Sequence, residues 1–234
     1  MSERAVSTPM WLTEWMEACG ISLWGVADLR GFSAPGLEPG SQLPCGISFA
    51  IPVNPRIMAG IRNGPNQAYA AEYERLNRHI DELTAALATD ISLKGFVARP
   101  LAASQRTDFV HIKGAFPHKT VATRAGLGWI GRHCQVVTRS FGPWVRLGSV
   151  FTDMELPCGT PIEKGSCGSC MRCVEVCPPK ALKGNAWHAG LPREELLDVK
   201  ACDGWKKEHY AHCGGGHICG MCTAACPYGL KTLQ

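Results

Sequence analysis

The sequence predicts an α+β protein in two parts, and three observations carry that prediction. Short apolar runs closed by Gly or Pro alternate with helical patterns through the first 150 residues. One of those helical patterns is long enough to organise a core. Ten of the thirteen cysteines then crowd into the stretch from Cys158 to Cys226, which gives the C-terminal part a different character.

The elements follow in order. The start of the chain reads as a short amphipathic helix, with Thr8 as its cap, Pro9 in its first turn and Gly20 closing it. Ile21 to Ala27 and Gly46 to Val53 read as buried strands, with a Gly/Pro-rich loop from Arg30 to Pro44 between them. From Gln67 to about Asp90, Tyr73, Leu76, Ile80, Leu83 and Leu87 recur every three or four residues, the spacing of one buried helical face. Phe96 to Arg99 suggests a further strand and His118 to Arg124 a short helix. Gln135 to Thr138 and Trp144 to Thr152 read as a β-hairpin turning at Ser140-Phe141-Gly142-Pro143. Pro157, Gly159, Pro161 and Gly165 mark a boundary, dividing the chain into 1–154 and 155–234.

A chain of 234 residues buries enough surface to fold without metal. No apolar run reaches the roughly 20 residues that cross a bilayer. The N-terminus lacks the pattern of a secretory leader, so a cytoplasmic protein without a membrane partner is expected. In that compartment regularly spaced cysteines hold metal rather than disulfides. The net charge of +4 is spread without a basic run, so no nucleic-acid partner is expected, while docking to an acidic electron donor is compatible.

Cys167-Gly-Ser-Cys170-Met-Arg-Cys173-Val-Glu-Val-Cys177-Pro178 has the spacing C-x2-C-x2-C-x3-C-P of bacterial ferredoxins. Three thiolates on a tight loop hold three irons of one 4Fe–4S cubane, and the fourth, one helical turn on, serves a second cubane. Structural zinc uses two separated pairs and has no need of a third cysteine two residues later. Cys219-Gly-Met-Cys222-Thr-Ala-Ala-Cys226-Pro227 is the partner motif, one cysteine short. Cys202, Cys213 and Cys158 are candidates for the missing ligand. With Cys202, the count closes as Cys167, Cys170, Cys173 and Cys226 for one cluster and Cys177, Cys202, Cys219 and Cys222 for the other. Cys213, in a glycine loop, is the runner-up. Cys19, Cys45 and Cys134 suit small core positions, and His209, His212 and His217 suit a solvated loop.

These motifs, in this order, resemble the epoxyqueuosine reductase family. The resemblance rests on Gly126-Leu-Gly-Trp-Ile-Gly131 with a basic residue after it, on Gly148-Ser-Val-Phe-Thr-Asp153, and on the later CGSCMRCVEVCP, LDVKACDGW and CGMCTAACP. It is strong from about Ala122 to Pro227 and weaker from residue 20 to 120. It implies a nitroreductase-like, cobalamin-binding-type domain ahead of a double-cluster ferredoxin-like module, a design similar to that of reductive dehalogenases. It also implies Cys202 as the lone extra ligand. The implied path runs from an external donor such as ferredoxin or flavodoxin, through two 4Fe–4S clusters, to the cobalt of a corrinoid and then to a small-molecule or corrinoid-protein substrate.

Under that resemblance Gly126, Gly128, Trp129 and Gly131 are the cofactor-binding candidates, since glycine lets backbone approach a flat macrocycle. The bland alternative is a turn with Trp129 as a core aromatic. The family places an aspartate proton donor about a dozen residues before its AGLGW stretch. Here His111 to Pro117 holds no carboxylate and Asp108 lies too early, so His111 and Lys119 are the catalytic candidates. The chain also stops at Gln234 without the helical repeats that some members turn toward tRNA, so epoxyqueuosine is not the expected substrate. The competing function is an electron-transfer protein that reduces a partner without substrate chemistry of its own. A third reading is a relative that has exchanged the corrinoid for another ligand.

Overall fold

The computed structural model describes residues 7–32 and 43–233. Helix α1 (Met10–Ala18), strands β1 (Trp24–Asp28) and β2 (Cys45–Pro52), and helices α2 (Pro55–Ala59) and α3 (Gln67–Leu93) come first. Strand β3 (Ala98–Leu101), helix α4 (His118–Arg124) and strands β4 (Gly128–Ile130), β5 (Val136–Thr138) and β6 (Val145–Thr152) follow. The cysteine-rich remainder carries helices α5 (Arg172–Glu175), α6 (Val199–His209), α7 (Met221–Ala224) and α8 (Pro227–Leu230). No helix among the described residues is long and apolar enough to cross a membrane.

Two compact units form, each from interleaved stretches. The first takes Met1–Ile51, Arg78–Leu127 and Leu147–Pro161; the second takes Pro52–Asn77, Gly128–Arg146 and Ile162–Gln234.

The first unit is built on a four-stranded sheet of order β1-β2-β6-β3. β1 and β2 are antiparallel with Trp24 opposite Phe49, and β3 and β6 are antiparallel with Ala98 opposite Thr152. The predicted helical stripe does its work here. Ile80, Leu83, Leu87 and Ile91 of α3 share a core with Leu12 and Met16 of α1 and with Ile47, Phe49 and Val150 of the sheet. Each fully buried side chain of this size contributes about 1.5–3 kcal/mol. The Trp15 Nε1 donates to Asp90 at 2.9 Å, tying α1 to α3. Gly148 is glycine because a Cβ there would lie 2.2 Å from the Phe49 ring.

Three expectations need correction. Pro9, not Thr8, occupies the N-cap of α1, and no side chain caps it; the ring-fixed φ suits this extended entry. The strand expected from Phe96 starts at Ala98, and Phe96 and Val97 are exposed. The hairpin between 135–138 and 144–152 does not form. β5 pairs antiparallel with β4, Gly128 opposite Thr138, while β6 joins the larger sheet. Thr138 and Gly142 exchange backbone hydrogen bonds at 2.9 and 3.0 Å, closing a tight turn. Pro143 then has no N–H with which to extend a ladder.

In the second unit, Trp144 is buried and its Nε1 donates to the Thr223 carbonyl at 2.8 Å. Gly229 leaves room for that indole, since a Cβ would come within 2.5 Å of it. Arg146 lies over the Tyr73 ring at 4.2 Å and donates to Asn77 Oδ1 at 2.6 Å. Elements from mid-chain thus frame the cysteine motifs.

Candidate metal centre

Each ligand stretch is shaped by a local device. In the first motif Gly168 adopts φ +56, the left-handed turn that lets the loop double back, and Cys170 N–H donates to the Cys167 carbonyl at 3.2 Å. Cys173 is buried on α5 and Cys177 lies just past its end. The Arg132 guanidinium donates to the Gly168 carbonyl at 2.7 Å and also to the Gly184 carbonyl, pinning the loop. In the second motif Gly220, at φ +80, precedes α7, where a Cβ would lie 2.6 Å from Ile61 Cδ1. Cys226 caps α8 with Pro227 in its first turn. Cys202 sits on α6, whose start is fixed by Asp198 accepting from Ala201 N–H at 2.9 Å.

The eight motif cysteines, expected to form two fours, lie close together, with Cys173 and Cys177 in one apolar cluster against which Cys202 and Cys222 pack. Burial, then Cys167, Cys226 and Cys170, push the Cys173 thiol up to about 12. Burial holds the Cys222 thiol well above its ordinary value, with Cys219, Cys202, Cys173 and Cys177 adding to the effect in that order. Burial also raises Cys202 and Cys219, and both feel Cys177 as a neighbour and the Lys206 ammonium as an opposing influence. Cys226 is raised by burial, with the backbone amides of Tyr228 and Gly229 pulling the other way. Crowded, desolvated thiols resist becoming anions together. Iron reverses that balance by replacing protons with positive charge, so the arrangement suits metal–sulfur clusters. A second observation fits the same group. Trp129 shares a core with Cys167, and its buried Nε1 has no acceptor among the described residues, a donor that suits sulfur beside it.

The other cysteines lie apart from these fours. Cys213 is fully buried, donates its S–H to the Asn66 carbonyl at 3.1 Å and packs with Ala70 and Ile218. Cys158 pairs instead with Cys45 in the first unit, and burial followed by Cys45 pushes its thiol up to about 11. Cys45 and Cys134 are buried, and Cys19 packs at the edge of the first core.

The GLGWIG residues face protein. A Cβ on Gly128 would lie 2.2 Å from the Val137 carbonyl oxygen, and one on Gly131 would meet the His133 ring and Val137. Gly126 takes φ +79, and a Cβ there would lie 3.0 Å from the Thr160 carbonyl oxygen. Trp129 is buried edge-on to Tyr228, with ring centroids 5.0 Å apart. Protein packing accounts for the missing Cβ at these glycines.

His111 lies on an exposed loop, where its ring bonds Asp108 Oδ2 at 2.7 Å and its N–H donates to Asp108 Oδ1 at 2.8 Å. Those bonds hold the Asp108 carboxyl below its ordinary value. Lys119 is half-buried in α4. Sequence reasoning missed the Arg132 clamp. Its only signal was a basic residue after the glycine run, and a side chain's acceptors 36 and 52 residues away leave no trace in spacing.

Residues 166–229 match the family described as a 4Fe-4S double cluster binding domain. That fixes the class: a protein with two 4Fe–4S clusters. An epoxyqueuosine reductase from Bacillus anthracis is 34% identical over 123 residues, covering 49% of this chain. The match spans 30% of the length of that relative. A solved reductive dehalogenase, whose structure is described in terms of B12-dependent dehalogenation, superimposes with a TM-score of 0.74 at 18% identity, over 97% of this chain and 33% of that one. A solved epoxyqueuosine reductase with an epoxyqueuosine-modified tRNA-Tyr stem loop gives 0.59 at 18% identity, over 94% and 64%. The fold is thus shared with both. The chain is therefore similar to epoxyqueuosine reductases in sequence over about half its length and in fold over nearly all of it.

Proposed function

We propose that this chain is a reductase that passes electrons through two 4Fe–4S clusters to a corrinoid and on to a substrate, with 1–154 as the corrinoid-binding-type, nitroreductase-like part and 155–234 carrying the cluster ligands. The observation that carries the proposal is the match of residues 166–229 to a 4Fe-4S double cluster binding domain, with the eight motif cysteines close together. On this reading Cys167, Cys170, Cys173 and Cys226 hold one cluster, and Cys177, Cys202, Cys219 and Cys222 hold the other. Two adjacent clusters let an external ferredoxin- or flavodoxin-type donor deliver single electrons inward. A corrinoid, when bound, supplies a low-potential cobalt centre to the substrate. His111, oriented by Asp108, is the leading proton carrier on this reading, with Lys119 second.

The packed GLGWIG stretch favours a second reading. With Gly128, Trp129 and Gly131 taken up by protein neighbours, electron transfer to a partner protein needs no corrinoid in this chain. Net charge alone does not exclude an RNA-borne substrate, because a solved relative holds a tRNA stem loop.

Anaerobic reconstitution with iron, sulfide and cobalamin, followed by desalting and metal analysis, separates the readings. About eight irons with one cobalt per chain supports the reductase. Iron without cobalt refutes it in favour of the electron carrier.

A further inference from the structure

We propose that Lys206 is a positioning charge that raises the reduction potential of the second cluster, the one held by Cys177, Cys202, Cys219 and Cys222. The proposal rests on the cluster assignment above.

The argument starts from helix geometry. Cys202 and Lys206 are four residues apart on α6, so their side chains rise from the same face. The Lys206 Nζ donates to the His217 carbonyl at 3.1 Å, and His217 lies two residues before Cys219. The ammonium is thereby held between two ligand segments. Its side chain is only 15% exposed, so solvent screens it weakly. Cys202 and Cys219 both feel it as a stabilising charge on their thiolates.

A carboxylate close by must be weighed. Asp203 is buried, 3.5 Å from Lys206 and 2.8 Å from Lys207. The shorter contact is with Lys207, which leaves Lys206 as the surplus positive charge. Asp203 is the least of the influences on Cys202 and is absent from those on Cys219, whereas Lys206 acts on both. The first four has a cation of its own in Arg132, which donates to the Gly168 carbonyl between Cys167 and Cys170, so the comparison that matters is the second cluster with and without Lys206.

Reduction adds one electron, and so one negative charge, to a cluster. A fixed ammonium beside the ligands favours the reduced state, and the electron comes from the external donor with no bond made or broken. Lys206 thereby makes the second cluster easier to reduce than it would be without that charge.

The test is an EPR-monitored redox titration of the reconstituted full chain. Cys202→Ala, which keeps only the first cluster, assigns the signals. Lys206→Met should lower the midpoint of the second cluster alone, cutting its reduced-to-oxidised ratio at the wild-type midpoint about tenfold, which is about 59 mV for one electron. Lys206→Arg should stay near wild type. Asp203→Asn, which removes the opposing charge, should shift the same cluster upward, and it decides the matter if Lys206→Met fails to hold iron. Unchanged midpoints in Lys206→Met and Asp203→Asn, whichever of the two hold about eight irons, or equal shifts in both clusters, overturn the proposal. Wild-type protein that never reaches about eight irons overturns the cluster assignment instead.

Discussion

Replacing Cys202 and Cys213 separately by alanine distinguishes a ligand from a look-alike. Cys202 lies within the second four, next to Cys219 and Cys177. Its loss leaves three thiolates for a cubane that takes four, so iron should fall from about eight to about four per chain. Cys213 is closer in sequence to Cys219 but packs against Ala70 and Ile218, and its S–H donates to the Asn66 carbonyl. Its loss removes one buried sulfur and leaves that carbonyl without its donor. The cost is about 1–2 kcal/mol of stability with iron unchanged. Iron analysis on anaerobically reconstituted protein, paired with denaturant unfolding, reads both effects. Half the iron lost from the Cys213 variant with none lost from the Cys202 variant would refute the assignment. Equal loss from both would do the same.

Gly128→Ala should destabilise the β4–β5 pair by about 3 kcal/mol or more, because its Cβ would collide with the Val137 carbonyl rather than with a yielding side chain; a thermal melt unchanged by the substitution would sink the packing explanation. Stripping iron with a chelator should raise amide exchange around Cys167–Cys177 and α7 while β1, β2 and the C-terminal half of α3 stay protected, since the first unit has its own apolar core. Uniform loss of protection, followed by mass spectrometry, would contradict that independence.

Much of the fold was legible where periodicity carries the information. The α3 stripe from Leu76 to Leu87 is buried as its spacing required, because a helix repeats every 3.6 residues whatever it packs against. The double-cluster module was legible for a similar reason, since the cysteine spacing marks the stretch that matches a 4Fe-4S double cluster binding domain. Cys202 was different. Spacing left Cys213 as its runner-up, and the resemblance chose between them. Strand partnership was not legible. The apolar residues of Gln135–Thr138 show that the segment is buried, but they say nothing of which strand lies alongside, and the Gly142-Pro143 turn suggested the wrong one. The glycines from 126 to 131 raise the same difficulty at the site. A missing Cβ announces a close approach without naming what approaches, and here it is Val137, His133 and Thr160.

Trp144 holds the Thr223 carbonyl and Arg132 holds Gly168, and both lie well before the first ligand cysteine. A gene fragment beginning at residue 155 would encode all eight proposed ligands and neither of these supports. The electron-handling part of this protein is therefore not a cassette that recombination can transplant intact. Substitutions at positions 132 or 144 would reach the cysteine loops through these two hydrogen bonds.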